Sequence, residues 1–351
     1  MTSKLTQNSG FRNILFITAI VIIIAGIMAA KAIILPILLA LFLSIICIQP
    51  ILFLEKRKIP FEVGMLIVLA GMGIVFIVLG GIIGNSLSGF LNDLPIYEDK
   101  LQQMAVGIIN TLNEAGANIN TQQLIDLIDP GRVLSFTAHA TGKLGNILSD
   151  SLLIIFIMIF MLLESKSFIL KTELIEKVFG NSLEYLNRIG VSIRHYLSIK
   201  TYMSIITGLL IWVWLYLIGV QYAVLWGLIA FLLNYIPNIG SLLAAIPTLL
   251  FSLIQLGFEG MIWTGICYLV VNTVMGSIVE PKVIGKGLGL STLVVFLALI
   301  IWGFILGTVG MFLSIPLTIT IKIILEQNKR TKWIAVLLGT EKETGQMLND
   351  T

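Results

Sequence analysis

The run YAVLWGLIAFLLNYIPNIGSLLAAIPTLLFSLIQ occupies residues 222–255 and contains no charged side chain. As one straight helix, its 34 residues would extend about 51 Å, far more than the hydrocarbon core of about 30 Å. The run also carries helix breakers, NYIPNIG at residues 234–240 and then Pro247. Because proline removes a backbone hydrogen bond and glycine weakens a helix, the run is predicted to bend or double back.

A second long apolar run, residues 291–325, shows the same behaviour, with the breakers Gly303, Gly307, Gly310 and Pro316. Each run is either a kinked full crossing or a re-entrant hairpin. Full crossings would place Lys282 and Lys286 outside, whereas hairpins keep them inside together with the basic tail that begins at Lys322. We favour hairpins that enter from opposite faces, a weak inverted repeat of the kind that places a transporter site at the midplane.

The composition excludes a soluble enzyme. Of the 351 residues, 57% are hydrophobic and 12% are charged, and the mean hydropathy is +1.01. A water-facing surface needs about a quarter of its residues charged, so the chain is predicted to be a multi-pass membrane protein. The net charge of +3 gives no reason to expect nucleic-acid binding, and Cys47 and Cys267 lie in separate apolar runs, which favours packing roles over a disulfide.

The expected fold class is an all-α polytopic membrane protein with about eight hydrophobic segments. Two of these are the expected re-entrant helical hairpins in inverted orientation, and a small external helical module completes the fold. The segments are residues 14–30, 32–54, 63–84, 147–163, 202–219, 222–255, 260–279 and 291–325.

The basic residues predict the orientation, because Lys and Arg accumulate on the cytoplasmic side. Lys4, Arg12 and the cluster at residues 56–58 place the N-terminus and the second loop inside. The acidic stretch 85–146 then lies outside, and both termini are cytoplasmic.

The expected divisions are N-terminal transmembrane helices (1–84), an extracytoplasmic helical module (85–146), a transmembrane helix (147–163), a cytoplasmic amphipathic helix (164–200), a transport core (201–325) and a cytoplasmic tail (326–351). The external module is expected to serve packing or oligomerisation rather than ligand binding.

Polar residues and broken backbone inside the core mark the candidate substrate pathway. Unsatisfied amides are costly in hydrocarbon, so buried asparagines must face protein, water or solute. Each asparagine alone could merely lock helices together, but their combination with two broken helices favours a pathway. The candidate residues are Asn234, Pro237, Asn238, Gly240, Asn272, Glu280, Gly307, Gly310 and Pro316.

Glu280 is the acidic residue that adjoins the last apolar segments, and two roles stay open for it. It could bind or gate solute, pairing with Lys282 or Lys286, or it could cap the seventh segment. Within the eight segments the sequence contains one acidic residue, Asp150 near the start of 147–163, and this scarcity argues against strong ion coupling. No catalytic residue, metal site or cofactor is predicted: His139 and His195 are assigned to opposite sides, and the glycine-rich GKGLG at 285–289 is not an ATPase loop.

Several long motifs resemble the autoinducer-2 exporter family of bacterial inner-membrane proteins, and most closely its quorum-signal exporter branch. They are LNYIPNIGS at 233–241, EPKVIGKGLGLSTLVVF at 280–296 and GMFLSIPLT at 310–318, with HYLSIKT at 195–201 and IAVLL at 334–338 in support. The resemblance implies a homo-oligomer, a pentamer, in which a mobile hairpin-bearing domain slides against a scaffold.

Three functions follow as hypotheses. The first is export of a small polar signalling molecule, autoinducer-2, across the bacterial inner membrane without ATP. The second is a monovalent cation (Na⁺ or Li⁺)/proton antiporter, and the third is an oligomeric membrane scaffold. The expected partners are the lipid bilayer, the solute and further copies of the chain, and no enzyme activity is expected.

Overall fold

The structure, a computed structural model, describes residues 9–114, 130–179, 183–237, 239–284 and 289–340. The regular elements in these ranges are all helical. They are α1 (Ser9–Ala29), α2 (Lys31–Lys56), α3 (Phe61–Glu114), α4 (Pro130–Phe179), α5 (Glu184–Leu217), α6 (Ala223–Leu233), α7 (Gly240–Asn272), a π-helix (Thr273–Val279), α8 (Glu280–Ile284), α9 (Thr292–Leu306), α10 (Thr308–Glu326) and α11 (Lys332–Leu338).

Within the described ranges, six helices are long and apolar enough to cross a membrane, and α6 and α9 are shorter apolar helices. The six are Lys31–Lys56, Phe61–Phe90, Ser151–Val178, Glu184–Leu217, Gly240–Val279 and Thr308–Glu326. Many of their large apolar side chains are exposed in the isolated chain, which a soluble protein could not sustain. The prediction of an all-helical membrane protein is thereby confirmed.

Helix boundaries differ from the predicted segment boundaries in the parts of the chain predicted to lie outside the membrane. Helix α3 continues unbroken from the apolar segment through Pro95 to Glu114, so residues 85–114 extend that helix. Residues 115–129 of the expected external module lie outside the described residues. Helix α4 runs from Pro130 to Phe179, and α5 begins at Glu184, so the amphipathic stretch 164–200 is shared between two helices.

The chain divides into two compact units. The first comprises residues 1–49, 152–196 and 286–351, and the second comprises residues 50–151 and 197–285. The first unit contains α9 and α10, and the second contains α6 and α7. Each predicted hairpin therefore belongs to a different unit.

In the second unit, α6 and the residues 240–256 of α7 form a helix–turn–helix, here called the first hairpin. Its arms are antiparallel, because Trp226 near the start of α6 packs against Phe251 near the end of the second arm. The base is tied by Gln255, which accepts from the Gln221 N–H at 2.8 Å and donates to the Gly219 carbonyl at 3.0 Å. Gly257, with φ 75°, then bends the chain away, so the hairpin returns to the level at which it started.

In the first unit, α9 and α10 form the second hairpin. Ser291 caps α9 by accepting from the Val294 N–H, and Gly307, with φ 72° and ψ −150°, ends it. The arms are antiparallel, because the Trp302 indole donates to Thr318 at 3.1 Å. At the base, the Lys322 ammonium donates to the Gly289 carbonyl at 2.6 Å, which again brings both ends together.

Candidate functional site

The tip of the first hairpin is closed by direct backbone contact at Gly240. A Cβ at this position would lie 1.8 Å from the Leu233 carbonyl oxygen, so only glycine allows the two arms to meet here. Pro237 is buried within the tip, and Asn238 lies outside the described residues. The breaker residues found in the sequence therefore build the turn between α6 and α7.

Two side chains of the tip bond to α5. The Asn234 amide donates to the Ser204 hydroxyl at 3.0 Å, and the Tyr235 hydroxyl donates to Thr201 at 2.8 Å. Ser204 is completely buried. The Asn234 bond joins the tip to α5, which is the kind of contact that a helix-locking asparagine makes.

Glu280 begins α8 and pairs with a lysine that the sequence analysis did not consider. The Lys200 ammonium lies 2.6 Å from Glu280 Oε1, and only 4% and 19% of the two side chains are exposed. The partner suggested from the sequence, Lys282, is exposed, and Lys286 lies outside the described residues. Since Lys200 and Glu280 are 80 positions apart, no local pattern could have joined them.

Glu280 is preceded by the π-helix Thr273–Val279. In this turn the Glu280 N–H bonds to the Met275 carbonyl, five residues back, which is the π pattern. Such turns interrupt the regular α-helical ladder and recur at functional sites. Asn272, half-buried, is the last α-helical residue before it. The structure thus places Asn272 and Glu280 at the two ends of one irregular turn.

These contacts converge on one side of α5, which we call the α5 polar face: Lys200, Thr201, Ser204 and Thr207. Lys200 and Ser204 are one helical turn apart, a separation of about 6 Å between their Cβ atoms. Glu280 bonds to the first and Asn234 to the second. Thr207 is buried, and its hydroxyl has no hydrogen-bond partner in the described part of the chain. The structure therefore brings Asn234 and Glu280 onto neighbouring turns of a single helix.

Buried hydroxyl pairs join the two halves of α7 on either side of Gly257. Ser252 accepts from Thr264 at 2.9 Å, and Thr248 is 3.0 Å from the Tyr268 hydroxyl. Ser252, Thr264 and Thr248 are completely buried. Because each polar atom is satisfied by another, these pairs stabilise the bend without leaving an uncompensated group in an apolar surrounding.

The base of the first hairpin is held by the part of α3 that follows the candidate membrane span Phe61–Phe90. The Tyr222 hydroxyl donates to Asp93 at 2.6 Å, and the Tyr97 hydroxyl donates to Gln221. Burial and the nearby Asp93 raise the pKa of Tyr97 above its usual value, so Tyr97 stays a neutral donor. Rings of Phe90, Tyr97, Tyr222 and Phe251 pack together. These contacts pack the continuation of α3 against the base of the first hairpin.

In the first unit, the remaining predicted residues build the second hairpin. A Cβ on Gly310 would lie 2.0 Å from the Trp302 carbonyl oxygen, so this glycine lets the arms approach closely, as Gly240 does in the first hairpin. Pro316 is buried in α10. At the tip, the Lys31 ammonium lies 2.8 Å from the position that a Cβ on Gly307 would occupy. Lys31 was missed in the sequence because it separates two apolar runs and resembles a simple loop residue.

The predicted pathway residues thus form two sets. Asn234, Pro237, Gly240, Asn272 and Glu280 belong to the second unit, and Gly307, Gly310 and Pro316 belong to the first. In the residues that the structure describes, no cluster of three His, Cys, Asp or Glu could hold a metal ion. The chemistry available at the α5 polar face is that of hydroxyl, amide, ammonium and carboxylate groups.

Long apolar helices are those of a multi-pass membrane protein, and helices broken by proline and glycine recur in transporters. The sequence model of the AI-2E family transporters matches residues 17–330, and the chain belongs to this family. It is therefore a membrane transporter. It is 37% identical over 339 residues to the AI-2 transport protein TqsA of Escherichia coli K12, covering 97% of this chain and 98% of that protein.

Two further relatives cover almost the whole chain. A Haemophilus influenzae protein is 35% identical over 334 residues, with 93% of this chain and 96% of the relative covered. YhhT of Escherichia coli K12 is 34% identical over 339 residues and covers 97% of each chain. The family resemblance predicted from the motifs is confirmed.

Proposed function

We propose that this chain exports a small polar signalling molecule, autoinducer-2, across the bacterial inner membrane without ATP. The similarity that supports this substrate is the 37% identity to TqsA over nearly both full lengths. The structural observation that carries the proposal is the polar contact of a broken helix, Asn234 with Ser204, beside the Lys200–Glu280 pair. Hydroxyl, amide and charged groups together suit a hydroxyl-rich solute.

In this proposal both hairpins are re-entrant. Helix α6 has 11 residues and α9 has 15, which correspond to about 16 Å and 22 Å, and neither spans a hydrocarbon core of about 30 Å. The tied bases support entry and exit on one side of the membrane. With both termini cytoplasmic, the first hairpin enters from outside and the second from inside.

The substrate pathway of the proposal comprises Asn234, Pro237, Asn238, Gly240, Asn272, Glu280, Gly307, Gly310 and Pro316. The glycines and prolines interrupt the helices and thereby expose backbone groups, while the asparagines and Glu280 supply side-chain partners. From the family resemblance, transport is elevator-like and occurs in a homo-oligomer, a pentamer. The moving part would carry a hairpin past a fixed scaffold.

Efflux assays test the pathway. Asn238→Leu and Glu280→Ala are expected to reduce autoinducer-2 efflux from cells while the amount of chain in the membrane stays unchanged. The control is Lys171→Ala, because Lys171 forms an exposed pair with Glu164 and neither residue belongs to the proposed pathway. Normal efflux from both pathway variants would remove the site assignment.

Cysteine accessibility tests the topology. A cysteine at position 282, whose side chain is exposed, is expected to react with a membrane-impermeant reagent only from the cytoplasmic side. Labelling from outside would contradict the re-entrant arrangement of the first hairpin and would require the run 222–255 to be a full crossing.

The second candidate function is a monovalent cation/proton antiporter. The observation that favours it is the largely buried Glu280 carboxylate, because buried carboxylates in membrane segments commonly bind ions. Antiport predicts sodium-dependent pH changes in proteoliposomes that disappear in Glu280→Gln. Autoinducer-2 efflux without any sodium-dependent pH change would leave export as the function.

A further inference from the structure

The Lys200–Glu280 pair lies in surroundings where an isolated charge is costly. The lysine side chain is 4% exposed and the glutamate side chain 19%. Removing one partner of a buried pair leaves an uncompensated charge, which destabilises a protein far more than loss of a surface pair does. The position opposite Glu280 therefore requires one positive charge.

One carboxylate contacts that position, and further oxygen groups belong to the same helix and to the adjoining turn. The Glu280 carboxylate faces the ammonium at 2.6 Å. The hydroxyls of Thr201 and Ser204 belong to the same α5 polar face, within one turn of Lys200. The adjoining π-helix interrupts the regular pattern of carbonyl pairing. Hard cations prefer such carboxylate, hydroxyl and carbonyl oxygens.

We propose that the Lys200 ammonium is a built-in cation that occupies a monovalent-cation site on Glu280, and that a free Na⁺ or Li⁺ ion binds there when the ammonium is absent. The lysine ammonium is a compact charge on a flexible four-carbon stem, so it fills the site without leaving the chain. As a tethered competitor at high effective concentration, it lowers the apparent affinity for a free cation. The physiological consequence rests on the proposed export function: an exporter that carries its own cation need not move sodium with its solute.

The experiment uses the purified full chain in detergent and compares Lys200→Met, Glu280→Gln and the double variant with the wild type. Thermal unfolding is followed in NaCl, LiCl and choline chloride at equal ionic strength, so that screening is constant. Binding of ²²Na⁺ is measured in parallel. Methionine has a similar length without the charge, and glutamine preserves the shape of glutamate.

Lys200→Met is expected to bind ²²Na⁺ at least about tenfold more tightly than the wild type, because the tethered competitor is gone. Its unfolding midpoint is expected to rise in NaCl or LiCl relative to choline chloride. The wild type, Glu280→Gln and the double variant should show no such difference. Lys171→Met is the matched control: it also removes a lysine from a glutamate, but the Lys171 and Glu164 side chains are 62% and 59% exposed, so no sodium-specific effect is expected.

Equal stabilisation of Lys200→Met by sodium and choline, with unchanged ²²Na⁺ binding, would overturn the proposal. If Lys200→Met folds only in sodium or lithium, the proposal is supported. If it folds in none of the salts while the neutral double variant folds, Glu280 cannot recruit a cation and the proposal is wrong. Loss of autoinducer-2 efflux in other pathway variants would bear on the export function alone, because the binding readout does not depend on transport.

Discussion

Replacing Gly240 with alanine tests whether the tip of the first hairpin depends on backbone contact between its arms. The added Cβ would lie 1.8 Å from the Leu233 carbonyl oxygen, whereas carbon–oxygen contacts are normally about 3.3 Å or longer. The arms must therefore separate by about 1.5 Å. The neighbouring atom belongs to the backbone, so rotation of a side chain cannot relieve the collision.

Overpacking of a well-packed region costs about 1–3 kcal/mol, and a collision with backbone belongs at the upper end, about 3 kcal/mol. At about 2–4 °C per kcal/mol for a unit of this size, the unfolding midpoint should fall by about 6–12 °C. The separation would also disturb the neighbouring contact between Asn234 and Ser204. Efflux is therefore expected to fall with stability.

The assay is thermal unfolding of the purified chain, followed by intrinsic tryptophan fluorescence, combined with efflux from cells. Gly80→Ala in α3 is the matched control, because no atom lies within 4 Å of its added Cβ. Alanine in a helix interior is favoured over glycine by about 0.5–1 kcal/mol, so this variant should be as stable as the wild type or slightly more stable. An unchanged midpoint in Gly240→Ala would refute the packing argument.

Three further predictions concern single contacts. Ser204→Ala removes the acceptor of the Asn234 amide. Because such bonds in membrane bundles average about 0.6 kcal/mol, we expect a small fall in the unfolding midpoint and faster hydrogen exchange at residues 234–236. Unchanged hydrogen exchange would contradict this prediction. Tyr222→Phe removes the hydroxyl that donates to Asp93. Because hydrogen bonds to charged groups contribute about 1.5–3 kcal/mol, we expect the free energy of unfolding to fall by this amount, as measured by thermal unfolding. An unchanged unfolding midpoint would contradict this prediction. Gly307→Ala places a methyl group against Lys31 at φ 72° and should destabilise by about 1–3 kcal/mol; adding Lys31→Ala should restore only part of the loss, and full recovery would show that backbone strain is absent.

The sequence predicts the helical bundle and the broken helices well, because both depend on local properties. Apolar runs of sufficient length predict membrane helices directly, and proline and glycine interrupt helices wherever they occur. The turns at Pro237 and Gly307 are therefore found where the breakers predict them. The requirement for glycine at positions 240 and 310 is seen only in the structure, where a backbone carbonyl oxygen lies against each of them.

The charged contacts could not be predicted, because they join residues that are distant in the chain. Lys200 and Glu280 pair across 80 positions, and Lys31 meets the tip at Gly307 only after α9 and α10 have folded back. One signal was available for Lys200: it shares a helix face with Ser204, Thr207 and Ile211, all of which are buried. The continuity of α3 was also not predicted. The polar residues after position 84 suggested that the helix ends there, whereas α3 continues to Glu114.

The short arm α6 has a consequence for how the chain enters a membrane during synthesis. A helix of 11 residues is too short to remain across a bilayer alone, and the Asn234 side chain that follows it would face lipid until Ser204 covered it. The arm is therefore expected to stay at the water–lipid interface until the second arm, which ends near Gln255, has been synthesised. Both arms would then partition together, so integration of this region proceeds in one cooperative step rather than helix by helix.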